Sequence, residues 1–153
     1  MNKEISVLEK RAELYFDEMT LYRNINSYFH RIVSVEGKNI IHNYLLDNNY
    51  HRIAFYGSGM AGKLLYDNLK DFRDIVIVGF IDKNRNSEYG ITDFIDLGDL
   101  NNKNIDLIII TPLGAGVEIK DELKVRNIIK AKTVLEILDS EKVAAIYENG
   151  IFV

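Results

Sequence analysis

The sequence predicts an α/β protein: a parallel sheet of about five strands with helices on both faces, preceded by a helical N-terminal extension. Three observations lead there. Short runs of apolar, often β-branched residues alternate with stretches of helical period. Those runs carry almost no polar residue, so each strand needs cover on both faces, as in parallel sheets between helix layers. A glycine-rich turn joins the first run to the helix after it.

The extension is assigned to residues 1–50 and the sheet domain to 51–153. From Ile5 to Val33 apolar residues recur at alternating steps of three and four: Ile5, Leu8, Ala12, Tyr15, Met19, Tyr22, then Asn26, Phe29 and Val33. This is a helical stripe of near-heptad spacing in which Asn26 is the one polar member, the kind of residue that sets register in a coiled coil. Such a stripe serves either a homodimer through residues 3–33 or a helix lying on its own domain, and Phe16, Ile25, Tyr28 and Ile32 widen it toward the second use. A further helix is expected over Glu36–Asp47, with Ile40, Ile41, Tyr44 and Leu45 on one side.

In the sheet domain, Ile53–Tyr56 is a strand, Ala61–Phe72 a helix and Ile75–Ile81 a strand, which together make a βαβ unit. Loop comes next, with at most a short edge strand at Ile91–Phe94. Ile105–Thr111 is a buried strand, Val117–Val125 a helix and Lys132–Leu138 a last strand, after which Asp139 starts a closing helix ending near Gly150.

Composition narrows the function classes. The 153 residues carry 19 Lys plus Arg against 23 Asp plus Glu, for a net charge of −4, with no basic run suited to nucleic acid. The chain contains no cysteine, so thiolate metal sites and disulfides are excluded. The opening MNKEISVLEKRAEL is too charged for a signal peptide and no apolar run is long enough to span a bilayer, so the expected location is cytoplasmic, without membrane insertion.

Gly57-Ser58-Gly59-Met60-Ala61-Gly62 matches G-x-G-x-x-G, and its position between a strand and a helix inside a βαβ unit makes it a candidate dinucleotide turn. Gly57 permits the tight turn, Gly59 lets a diphosphate approach the backbone, and Gly62 lets helix and strand pack closely. The helix then offers its first N–H groups and positive dipole end to phosphate. The alternative is a turn that needs glycine for geometry alone. Asp82, in VGFIDKN, ends the next strand where an acid accepts hydrogen bonds from an adenosine ribose and repels a 2′-phosphate, so NAD is favoured over NADP. Lys83 and Arg85 beside it soften that preference, and a solvated strand-end carboxylate is the plainer account of Asp82. Thr111 and Pro112 fall at the end of the strand beside the first, at the mouth of the expected crevice or simply as a strand stop. No catalytic residue is assigned. Tyr66 and Lys70 spell Y-x-x-x-K on the wrong helix for hydride-transfer chemistry, and His30, His42 and His51 lie away from the crevice.

The segments EGKNIIHNYLLDNNYHRIAFYGSGMAGKLLYDNL, VGFIDKN, IDLIIITPL and TVLEIL resemble the small bacterial Rossmann-type proteins and domains of nucleoside-diphosphate-sugar and surface-polysaccharide biosynthesis. The resemblance covers roughly residues 35–140, and its outline is shared by CoA-binding domains and the nucleotide domains of redox-sensing repressors. It implies a dinucleotide or nucleotide-sugar site at Gly57–Gly62 and Asp82, with NAD first among the cofactors, and an accessory or partial enzyme of glycan assembly. The chain departs from sugar-nucleotide epimerases and dehydratases in lacking their catalytic tyrosine and lysine at the matching place and their substrate domain. A CoA-binding module and a non-catalytic interaction protein with an empty Rossmann fold are the alternatives.

Overall fold

The computed structural model describes residues 3–16, 30, 34–85, 88–112, 115–128 and 130–138. Most of the stripe beyond residue 16 and the closing helix expected after Asp139 lie outside the described residues. Residues 3–16 form helix α1, and every one of them is exposed, including Leu8, Tyr15 and Phe16. Helix α2 (Val35–Asp47) starts at Ser34, whose hydroxyl oxygen accepts a hydrogen bond from the Gly37 amide at 3.0 Å and so satisfies one of the first-turn donors. It buries Ile40, Ile41 and Leu45 at i, i+1 and i+5.

Strand β1 (Arg52–Tyr56) leads into helix α3 (Met60–Leu69), which returns the chain to β2 (Val76–Ile81). A 3₁₀ helix at Leu97–Asn102 precedes β3 (Leu107–Ile110), and helix α4 (Gly116–Val125) connects β3 to β4 (Ala131–Thr133). The four strands are all parallel, in the order β2-β1-β3-β4. Alternation along the strands divides the interior in two. Ile53, Phe55, Leu107 and Ile109 pack with α2 and α3, whereas Ala54, Tyr56, Ile108 and Ile110 pack with Leu123 of α4 and Leu100 of the 3₁₀ helix. Leu65 and Leu69 of α3 are fully buried, each contributing about 1.5–3 kcal/mol on removal from water.

Three expectations need correction. Among the described residues the sheet has four strands where about five are expected, because the edge strand at 91–94 is reduced to one parallel bridge, Phe94 to Phe80. The loop after it contains a 3₁₀ helix, which buries Leu100. The last strand does not run over 132–138: after three residues of β4 the chain turns helical over 134–138. Thr133-Val134-Leu135-Glu136 is a T-x-x-E start signal, and the Thr133 hydroxyl oxygen accepts from the Glu136 amide at 3.1 Å. Val134, Ile137 and Leu138 then fall on one helical face, all buried against the α2–α3 side. A run of apolar residues this short fits either period, and the capping pair decides it.

Candidate functional site

Because β1 and β3 are neighbours while the intervening β2 lies on the other side of β1, the strand order reverses between β1 and β3. The helices after these two strands leave on opposite faces, the arrangement in which open α/β sheets place a ligand crevice at the strands' carboxyl ends. Gly57 stands at that end of the sheet. Its amide donates to the Ile81 carbonyl at 2.8 Å, and the Thr111 amide donates to the Tyr56 carbonyl at 2.9 Å, so the end of β1 is tied to both neighbouring strands. Gly57 has φ 109°, a left-handed value, and a Cβ on it would lie 2.5 Å from Thr111 Oγ1 and 2.9 Å from Pro112 Cδ. Thr111 is buried and its hydroxyl donates to the Tyr56 carbonyl at 2.9 Å. Thr111 and Pro112 therefore pack directly against the glycine turn.

The other two glycines have opposite surroundings. At Gly62 a Cβ would sit 2.2 Å from the Gly57 carbonyl oxygen, so the first turn of α3 lies tight on the end of β1. At Gly59 a Cβ would meet nothing within 4 Å. Gly59 is the N-cap of α3 and has no side chain to bond the first amides of the helix, so among the described residues that end is uncapped, beside the open space at Gly59, while Gly62 is buried. Met60 is half exposed.

Asp82 comes to the same place from β2. Its Oδ2 accepts both the Ser58 amide at 2.8 Å and the Ser58 hydroxyl at 2.7 Å, and its Oδ1 accepts the Asn84 amide at 2.9 Å. Partial burial pushes the Asp82 carboxyl up, but the hydrogen bonds from Ser58, Asn84 and Lys83 outweigh it and hold the group below the ordinary carboxylate range. Ser58 itself is buried. Neighbouring basic residues are engaged with acids of other elements: Lys83 Nζ lies 3.0 Å from Glu122 of α4, and the Arg85 guanidinium pairs with Asp96. Beside them a cavity of about 250 Å³ is lined by Tyr56, Ile81, Asp82, Arg85, Ile95 and Leu97, among others.

The structure thus brings together Gly57, Ser58, Gly59, Met60, Ala61, Gly62, Asp82, Lys83, Thr111 and Pro112 at one end of the sheet. The Ser58–Asp82 bonds were not legible in the sequence, because 24 residues separate the partners and neither position signals the other. The other candidates stay apart. His51 precedes β1, and His42 stacks on Phe72 with ring centroids 3.6 Å apart while its Nε2 lies 2.9 Å from Asp74. Tyr66 packs beside Phe80, and Lys70 pairs with Asp67 at 3.4 Å.

A family model described as C2185-like, N-terminal matches residues 49–134, more than half of the chain and the whole of the sheet. The chain belongs to the C2185-like, N-terminal family. The match takes in the glycine turn, Asp82 and Thr111-Pro112, so the candidate residues all lie inside the family's domain. No curated protein matches the chain. Among the described residues no cluster of His, Asp and Glu is arranged to hold a metal ion, and no helix is long and apolar enough to cross a membrane.

Proposed function

We propose that this C2185-like domain is a Rossmann-like nucleotide-binding module whose ligand lays its diphosphate on the Gly57–Gly62 turn. The observation that carries the reading is the uncapped start of α3 at Gly59, with open space above it, at the point where the strand order reverses. Counting the Phe94 bridge as an outermost strand supports it further, since the order then becomes that of a Rossmann sheet through its fifth strand. The ligand of first choice is NAD, because the Asp82 charge disfavours a 2′-phosphate; a nucleotide-sugar and CoA are the alternatives. The setting is nucleotide-sugar or polysaccharide metabolism, as an accessory or partial enzyme, and no residue is given a catalytic role.

A thermal-shift panel of NAD, NADP, UDP-sugars and CoA on the full chain tests the proposal. A ligand at 100 times its dissociation constant stabilises the folded state by about 2.7 kcal/mol. NAD is expected to give the largest shift, and a larger shift with a UDP-sugar or CoA reassigns the ligand. No shift with any of the four, confirmed by calorimetry, leaves the interaction protein with an empty fold.

Self-association through residues 3–33 belongs to the same proposal. Its support is the exposure of Ile5, Leu8 and Tyr15 on α1, at 50%, 62% and 66%. Light scattering is expected to give a dimer for the full chain and a monomer for the chain begun at Ser34. A monomeric full chain at high micromolar concentration ends this part of the proposal.

A further inference from the structure

Resting on the reading that a diphosphate docks on the Gly57–Gly62 turn, we infer that Asp82 is a positioning residue: it holds the turn in its phosphate-binding shape through Ser58, and does not accept hydrogen bonds from the ligand's ribose. At this corner the ligand is then recognised by its phosphates. The ligand class is a nucleoside diphosphate ester whose ribose hydroxyls are not selected by this carboxylate.

The geometry carries this in three steps. A carboxylate offers about four acceptor positions on its two oxygens. Donors of the chain itself already converge on Asp82: the amide and hydroxyl of Ser58 on Oδ2, the Asn84 amide on Oδ1, and the Lys83 amide beside them. A ribose could take Oδ2 only by displacing a residue that is 5% exposed and bonded twice to that oxygen. Ser58 stands between Gly57 and Gly59, two residues without side chains whose backbones have the widest conformational choice. Asp82 supplies the side-chain contact that selects one conformation of this pair, and it does so from a neighbouring strand anchored in the core. The Ser58 amide, being spent on Asp82, is withdrawn from the ligand. The phosphate is left to the next amides along the chain, at the start of α3, which no side chain among the described residues caps.

The two roles of Asp82 differ most for a ligand that has phosphates and no ribose. The test titrates inorganic pyrophosphate and ADP into the full-length wild type, Asp82→Asn, Ser58→Ala and Ser58→Thr, following binding by calorimetry or backbone amide shifts and folding by thermal melting. A positioning role predicts that Asp82→Asn and Ser58→Ala weaken pyrophosphate and ADP by the same factor, about tenfold, the size of one lost charge-assisted hydrogen bond. Ser58→Thr, which keeps a hydroxyl, is expected to stay within about threefold of wild type, because that bond remains. A ribose-reading carboxylate predicts the reverse pattern: Asp82→Asn weakens ADP alone and leaves pyrophosphate unchanged or tighter, since a negative charge has gone. That result overturns the inference and leaves the nucleotide site standing. If Asp82→Asn loses its cooperative melt, Ser58→Ala decides alone, because freeing Oδ2 for a ribose would leave ADP unchanged or tighter. A wild type that binds neither ligand overturns the site itself, a failure distinct from the other.

Discussion

The two ends of β1 are each closed by one aspartate, and they end up with different capabilities. At the amino end Asp106 Oδ2 accepts the amides of His51 and Arg52, both at 2.9 Å, while the Arg52 guanidinium donates back to the carbonyls of Asn104 and Lys103 at 2.9 and 3.1 Å. At the carboxyl end Asp82 accepts the amide and hydroxyl of Ser58 in the same fashion. The ends differ in where the chain goes next. After Arg52 it enters the sheet, where its remaining amides are consumed by β2 and β3. After Ser58 it opens a helix at Gly59, an N-cap with no side chain to bond the first amides and with open space beside it. One device, a carboxylate on backbone amides, makes a stitched seam at one end and the frame of the proposed nucleotide site at the other.

Substitutions at the two ends can break this comparison. The largest expected effect is from Gly62→Ala, whose methyl would lie 2.2 Å from the Gly57 carbonyl oxygen, a backbone atom with no freedom to retreat. Overpacking of this kind is expected to cost about 3 kcal/mol or more, read as a lowered urea midpoint. Gly59→Val, three residues earlier, is expected to leave stability within about 1 kcal/mol, the scale of an N-cap change, because its space is open and its φ of −79° suits any residue. The same variant is expected to lose nucleotide affinity by about a hundredfold, or about 2.7 kcal/mol, since the new side chain fills the diphosphate's place. A folded Gly59→Val that binds like wild type would remove the distinction between the two glycines.

Asp106→Asn should act on the seam alone. It is expected to cost about 1–2 kcal/mol of stability through two weakened hydrogen bonds, with nucleotide affinity unchanged. A change in affinity would show that the two ends are coupled through β1.

The smallest effect is in acid. Burial pushes the Asp82 and Asp106 carboxyls up, but backbone and side-chain hydrogen bonds hold both below their ordinary value. In the acid window the unfolded chain therefore binds more protons than the folded one. The stability each group contributes is full above the unfolded carboxylate value, near pH 4, and is lost as the pH falls through the lower folded value. Urea midpoints are expected to be level from about pH 7 to 5 and to fall below about pH 4, with a shallower fall in Asp82→Asn and in Asp106→Asn. A wild-type midpoint that rises in acid would contradict the hydrogen-bonded state of both carboxylates.

Local pattern was enough for most of the elements. The apolar run from Ile53, the glycines at 57, 59 and 62, and the stripe through Leu65 and Leu69 mark a strand, a turn and a helix without reference to anything distant, and the structure has them within a few residues. Near-absence of polar residues in β1 and β3 likewise requires cover on both faces, and that is how the parallel sheet is built. Short-range chemistry also reaches Thr133 and Glu136, whose capping pair ends β4 after three residues, although apolar content alone points to a longer strand. The partners of Asp82 and the reach of Gly62 to the Gly57 carbonyl are of another kind. Each joins positions that are adjacent only after α3 has packed back onto the sheet, and a carboxylate looks the same in a sequence whether it waits for a ribose or is already satisfied by a serine. Burial and hydrogen-bond geometry are properties of the packed chain, so only the tertiary structure bonds Asp82 to the turn and leaves the space beside Gly59 open.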